Sequence, residues 1–214
     1  MNTVTLSSLP ILPLKGMVLF TNIEHPVVVG RPRSIAAVEE AVRSEDKSIL
    51  VLTQRKADSA EPGADELYMV GTRARIHRLE RHAEGILTLI LRGIERVQVT
   101  AFDNSQDWLQ GSYEALPLPA DHGDTIEALH RDLLQQAREV EHHSTSEWPK
   151  GVLSQMLQAL KDPMEHVYVL TSLLKLDTAQ QQAIYQADTA EAAMRLLHHA
   201  LQHELQVLRL QEEI

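Results

Sequence analysis

The chain has 214 residues, 43% of them hydrophobic but only 4% aromatic, with a formal net charge of −10 and no cysteine. That size allows one large domain or two small ones, and folding buries roughly 70% of the unfolded surface in a core of Leu, Val, Ile and Ala. The acidity argues against a general nucleic-acid binder, and the missing cysteines exclude disulfides, thiolate metal sites and a Cys nucleophile. No basic segment followed by a long apolar run opens the chain, and no stretch approaches the ~20 apolar residues of a membrane span. The expectation is a cytoplasmic protein without membrane contact.

The first half reads as short strands. Leu9 to Leu14 and Pro26 to Val29 are apolar runs broken by proline, which suits edge strands or strand ends. A helix follows from Pro32 to Ser44, with Pro32 in its first turn and Ile35, Val38 and Val42 as the inner face. Ser48 to Thr53 is a continuous apolar run of buried-strand length. The polar segment Lys56 to Asp65 reads as a loop. Val70 to Leu79 and Ile86 to Leu91 flank a hairpin turn at His82 to Gly85, where Gly supplies positive φ. Arg96 to Phe102 and Gln110 to Leu118 complete seven or so strands, the pattern of a curled sheet or small barrel. Two prolines between Leu116 and Ala120 mark a boundary.

The second half is helical. Asp124, Asp162, Asp177 and Asp188 each stand three residues before Glu or Gln (Glu127, Glu165, Gln180, Glu191) and open apolar periodic segments, the capping-box arrangement. Another helix spans Glu147 to Lys161, with Leu153, Met156, Leu157 and Leu160 inward. From Thr189 to Ile214 there is no Gly or Pro. Met194, Leu197, Leu201, Leu205 and Leu208 step by three or four, flanked by Leu196, Ala200, Val207, Leu210 and Ile214. No stop signal closes this helix. Either a partner covers its apolar surface or the polypeptide continues, and Leu197, Leu201, Leu205 and Leu208 are the candidate assembly residues.

No catalytic constellation stands out. His199 and His203 lie one helical turn apart beside His198, but no third ligand is evident and Ala200 occupies the place of a zincin glutamate, so they read as solvated or interfacial histidines. His142 and His143 suit the negative end of a helix. Ser7, Ser8, Ser112 and Ser154 lack a nucleophile motif, and there is no phosphate-binding loop. The apolar run between Pro13 and His25 offers a contact site for hydrophobic segments. Its candidate residues are Met17, Leu19, Phe20 and Ile23, with Met69 as an adaptable neighbour, although apolar runs bounded by turns are usually buried. Arg73, Arg75, Arg78 and Arg81 form a local basic stretch, read as an outward strand face rather than an RNA site.

An ordered series then carries a likeness: LPILPL from Leu9, VLF from Val18, PVVVGR from Pro26, SIAA from Ser34, YMVGT from Tyr68, GIER from Gly93, Asp162-Pro163 and HELQVLRL from His203. The series resembles the amino-terminal substrate-recognition domain of the ATP-dependent Lon protease, with Thr21 standing where the family usually carries Pro. The resemblance implies an α+β chain: a PUA-like β-rich subdomain over 1–118 and a helical subdomain over 121–214, whose long helix 189–214 continues into an ATPase region. It places the phosphate loop and the Ser–Lys protease dyad downstream of Ile214. This chain then has no catalytic residue, metal or cofactor, with ATP and Mg belonging to the parent enzyme. It implies unfolded or damaged proteins as partners and a homo-oligomer in the full-length protein. The alternatives are an oligomerisation module, a stand-alone Lon-domain protein without protease activity and, against the charge, an RNA binder.

Overall fold

The computed structural model describes residues 7–143 and 151–214. The chain divides into two compact units, Met1–Pro117 and Leu118–Ile214.

The first unit is built on one six-stranded sheet: β1 (Ser7–Leu14), β2 (Glu24–Val29), β3 (Ser48–Thr53), β4 (Val70–Arg81), β5 (Leu87–Asp103) and β6 (Gln110–Ala115), with helix α1 (Pro32–Arg43) between β2 and β3. The order is β2-β5-β4-β3-β1-β6, and β5 also pairs with β6. The ring β5-β4-β3-β1-β6 therefore closes, which removes most sheet edges. One strand closes it because β5 is long: Glu24 to Val29 pair along Leu87 to Arg92, and Gln110 to Ala115 pair along Val97 to Asp103. The two strands expected at Ile86–Leu91 and Arg96–Phe102 are thus one. Gly93 does not break it, because it is the point where another backbone crosses, as described below.

β1 is not the edge strand its prolines suggest. It is antiparallel to β6 over Ser7–Pro10 and parallel to β3 over Ile11–Leu14. N–H groups alternate sides along a strand, and Ile11 donates to Leu109 O on the β6 side at 2.8 Å. Pro10 therefore turns its missing donor to the β3 side, before that pairing begins. Pro13 turns its own to the β6 side, after that pairing has ended. A strand that changes partner midway accommodates both prolines inside the ring.

β3 is buried throughout because it separates two cores. Ile49 and Val51 join Leu12, Leu14, Leu19, Ala37, Val38, Ala74, Leu89 and others beneath α1. Leu50 and Leu52 join Ile11, Leu67, Val97, Val99 and Leu109 on the opposite face. The inner face of α1 is Ser34, Ala37, Val38 and Ala41. Ile35 and Val42, expected inside, pack only at its border, because the small residues allow the helix to sit close to the sheet. At the hairpin, Glu84 (φ 65°) shares the left-handed turn with Gly85 (φ 78°).

The second unit contains α2 (Asp124–His143), α3 (Val152–Gln158), α4 (Pro163–Leu173), α5 (Thr178–Gln186) and α6 (Ala190–Glu213). The helix start expected at Glu147 lies outside the described residues. α4 is its centre: Met164, Val167, Tyr168, Val169 and Leu170 are all buried, and Tyr168 meets Tyr185 of α5 edge-on at 5.1 Å. Two of the four expected Asp caps hold. Asp162 accepts from Met164 N–H at 2.8 Å, and Asp177 with Gln180 forms the reciprocal box. The other two are corrected. Asp124 lies within the first turn of α2. At α6 the cap is Thr189, accepting from Ala192 N–H, while Asp121 takes the N–H groups of Ala190 and Glu191. A carboxylate distant in sequence does the work that adjacency assigned to Asp188.

Candidate functional site

The segment from Lys15 to Ile23 crosses the strands of the barrel unit and is tied down at each step. Thr53 Oγ1 donates to Met17 O at 2.9 Å and Thr72 Oγ1 donates to Leu19 O. Asn22 N–H donates to Gly93 O, and Gly93 N–H to Ile23 O. A Cβ on Gly93 would lie 2.2 Å from Phe20 O, so only glycine lets this strap approach β5. Gly71 plays the same part between β4 and β3, where a Cβ would lie 2.4 Å from Val51 O.

The strap buries two of the four candidate contact residues. Leu19 is 2% and Phe20 1% exposed, so they are core residues and leave the candidate surface; burying each is worth about 1.5–3 kcal/mol. Met17 and Ile23 are half-buried. Thr21 is buried too, and its hydroxyl has no partner.

Met17 reaches a groove of about 430 Å³, walled by the end of β1 (Leu12 to Lys15) and by β2 with its continuation (Pro26 to Arg31), with Ser34 of α1 at one end. The groove exists because β2 pairs on one side only. Ile23 O faces β5, so the backbone groups of Glu24, Pro26 and Val28 turn to the open side. Pro26 has no N–H, and its carbonyl accepts from its own neighbour's ring, His25 Nδ1, at 2.7 Å. Val28 keeps both backbone groups on that edge, and its side chain is 72% exposed. The lining is apolar with two cations, Lys15 and Arg31, and no acid.

Sequence reasoning missed Arg31, whose signal was the Gly-Arg ending of PVVVGR. Its Nη1 donates to Gln54 Oε1 at 2.6 Å and its Nη2 to Pro13 O at 2.7 Å. Gln54, buried, in turn donates to Lys56 O and Ser59 O. Burial pulls the Arg31 guanidinium below its ordinary value, and the neighbouring Glu61 carboxylate opposes the shift.

The candidate assembly residues are largely covered within the chain. Leu197, Leu201 and Leu205 are 0%, 1% and 6% exposed and Leu208 is half-buried. α2 covers this face, and Asp132–His198, Glu139–Arg209 and His143–Glu212 contacts rise in parallel along the two helices. What remains outward is the flanking stripe, with Leu196 at 44% and Leu210 at 53% exposure. Among the described residues no group of three or more His, Asp or Glu is placed to hold a metal ion, and no helix is long and apolar enough to cross a membrane. Of the four arginines in the basic stretch, Arg73, Arg78 and Arg81 pair with Glu95, Glu80 and Glu39.

The family profile described as the ATP-dependent protease La (LON) substrate-binding domain matches residues 8–203. The Lon protease of Nitrosococcus oceani is 37% identical over 205 residues, which is 96% of this chain and 26% of that protein. Lon protease 1 of Sorangium cellulosum is 32% identical over 212 residues, 97% of this chain and 26% of its own length. The chain thus spans about a quarter of the length of these relatives. Among solved structures, the N-terminal domain of the Mycobacterium avium complex Lon protease has a TM-score of 0.73 at 18% identity, covering 92% of this chain and 98% of that one. A Lon N-terminal domain protein from Xanthomonas campestris has a TM-score of 0.61 at 21% identity, covering 89% and 96%. These two likenesses are of fold; with the profile running nearly end to end, the chain belongs to the Lon substrate-binding domain family.

Proposed function

We propose that this chain is the client-capturing part of an ATP-dependent Lon protease, and that it engages unfolded or damaged proteins through the groove beside β2. The observation that carries the reading is the family match over 8–203. The groove suits weak capture. Misfolded chains expose apolar segments that folded ones bury, and Met17, Val27 and Val28 offer apolar contact next to an open strand edge. The barrel unit carries 13 Lys and Arg against 15 Asp and Glu, so it repels neither acidic nor basic clients strongly. ATP, Mg and bond cleavage belong to other segments of such an enzyme; this part grips and does not cut.

The test is capture of a fluorescently labelled, reduced and unfolded model protein by the chain, read by anisotropy. Val28→Asp is expected to lower capture about fivefold, the order of one lost apolar anchor, with an unchanged far-UV circular dichroism spectrum. Undiminished capture by the folded variant would remove the groove from the reading.

A second reading, assembly of several copies, draws support from the outward stripe of α6. Sedimentation of the chain with Leu196→Glu and Leu210→Glu checks it. Self-association that the pair abolishes favours assembly through this face, and unchanged association rejects it.

A further inference from the structure

The groove beside β2 has a backbone pattern and a charge that apolar capture alone does not use. N–H and C=O groups alternate sides along a strand, so Glu24, Pro26 and Val28 face away from β5. At Pro26 this edge is blunted: there is no N–H, and the carbonyl is engaged by His25 Nδ1 at 2.7 Å. At Val28 both backbone groups stay open beside an exposed side chain. The facing wall is closed at Pro13, which also lacks an N–H and whose carbonyl accepts from Arg31 Nη2 at 2.7 Å. At this level, then, the wall able to pair with another strand is β2. Charge adds a second constraint. Lys15 and Arg31 line the groove, and among the described residues no Asp or Glu does. Lys15 is exposed. Arg31 directs its guanidinium at neutral acceptors, the Gln54 amide oxygen and the carbonyls of Pro13 and Ala60. Glu61 acts on Arg31 from outside the groove, and Glu24 at the start of β2 is matched by His77 and Arg92. The barrel unit is nearly balanced in charge as a whole, yet its groove carries two cations and no acid.

Resting on the client-capture reading, we propose that the groove binds an extended apolar segment carrying an acidic side chain, added to β2 as an outer strand at Val28 with the acid beside Lys15 and Arg31. Charge complementarity selects this occupant over a basic segment, which would bring like charges together in the groove. The spacing follows from β2. Arg31 lies three residues beyond Val28, at most about 10 Å along an extended chain, so the acid stands within about three residues of the one that pairs with Val28. Backbone hydrogen bonds at Val28 hold segments of any sequence, alternate side chains meet Met17 and Val27, and the two cations sort acidic clients from basic ones.

The experiment uses short fluorescein-labelled peptides of alternating Val and Thr, with Asp, Asn or Lys placed about three residues to each side of the centre. Anisotropy titrations on the 214-residue chain read the ratios. The Asp peptide is expected to bind about tenfold more tightly than the Lys peptide, with Asn between them, the order of two exposed attractions set against two repulsions. Lys15→Glu should lower that ratio about threefold or more, and added salt should shrink it. Strand addition is read from the peptide backbone, because N-methylation of alternate residues removes the donors along one edge. One of the two alternate sets should weaken binding about tenfold and the other leave it within about twofold. Asp and Lys peptides that bind alike, or two methylated sets that behave alike, overturn the proposal. If Val28→Asp then still weakens capture of the unfolded model protein, the groove remains the capture site and only strand addition with acid selection falls. Capture that Val28→Asp leaves unchanged removes both. Self-association in sedimentation that Val28→Asp abolishes marks a second copy as the occupant and likewise overturns the proposal.

Discussion

The two units solve the same problem, burial of a Leu- and Val-rich core, by opposite means. In the barrel the decisive residues are those that permit long-range approach: Gly71 and Gly93 under neighbouring backbone, and Pro10 and Pro13 where β1 changes partner. In the helical unit the decisive residues are local: Asp162, Asp177 and Thr189 start helices, and the apolar spacing sets the faces. Charge divides the same way. The helical unit holds 7 Lys and Arg against 15 Asp and Glu, and eight of the eleven histidines. The negative charge of the chain is thus mostly a property of its solvated helices and says little about the groove in the barrel, where cations line the wall. A whole-chain charge is a poor guide to a site when the two units carry it so unequally.

The largest effect should come from closing the barrel's backbone approach. Gly93→Ala puts a methyl group onto Phe20 O and is expected to cost more than about 3 kcal/mol, the range of severe overpacking. Gly123→Ala serves as the control in the helical unit: φ is +134° but nothing lies within 4 Å of its Cβ, so the cost is backbone strain of about 1–3 kcal/mol. Urea unfolding read by circular dichroism gives both values. Similar costs would mean that the strap moves aside and that close approach does not define the barrel.

On α6 the contrast becomes one between faces. Leu197→Ala removes a fully buried side chain and should destabilise by about 2–5 kcal/mol. Leu210→Ala, at 53% exposure, should fall within about 0.5 kcal/mol of the parent. Thermal melts decide. A large loss at Leu210 in the monomer would show that the outward stripe is covered.

How much of this was legible in the sequence follows from the same contrast. Periodicity together with the Asp cap signals located α4, α5 and α6, and an unbroken apolar run located the strand Ser48–Thr53, because those signals are local. The same reading misplaced β1 at an edge and divided β5 at Gly93, because a proline or glycine reports a backbone requirement without naming the partner that imposes it. Leu19 and Phe20 illustrate the limit at the site. An apolar run between turns is compatible with an exposed patch or a plug, and the hydroxyls of Thr53 and Thr72, more than thirty residues away, decide for the plug. Arg31 was legible only as a motif letter; its role needs Pro13 and Gln54 brought beside it.

Capping gives a smaller and sharper test. Thr189→Ala should cost about 1 kcal/mol, the usual worth of a side-chain cap. Asp121→Ala should cost a similar amount, because its carboxylate serves two N–H groups and its pKa is lowered chiefly by the bond from Ala190. Asp188→Ala should be near neutral. Equal losses at Asp188 and Thr189 would restore the sequence-based placement of the cap.

The smallest effect concerns pH. His130 of α2 and His166 of α4 stack at 5.2 Å, with Nε2 of the first 2.9 Å from Nδ1 of the second. His166 Nε2 faces the carbonyls of Leu157 and Leu160, which only accept, so its proton lies on Nε2. Its Nδ1 and His130 Nε2 then share a single proton between them. Burial, and secondarily the His166 charge, lowers the pKa of His130 from 6.5. The unfolded chain then binds protons first as pH falls. The contribution is therefore complete above about pH 6.5 and is lost as pH drops through the lower folded value. Melting temperature should decline by about 2–4 °C over that interval, if the contact is worth about 1 kcal/mol. His130→Gln should flatten that part of the profile, leaving the acid limb set by carboxylates such as Asp46 and Asp121, whose hydrogen bonds lower their pKa values. A profile through pH 6 that is identical with and without His130 would show that the stacked pair carries no stability of its own.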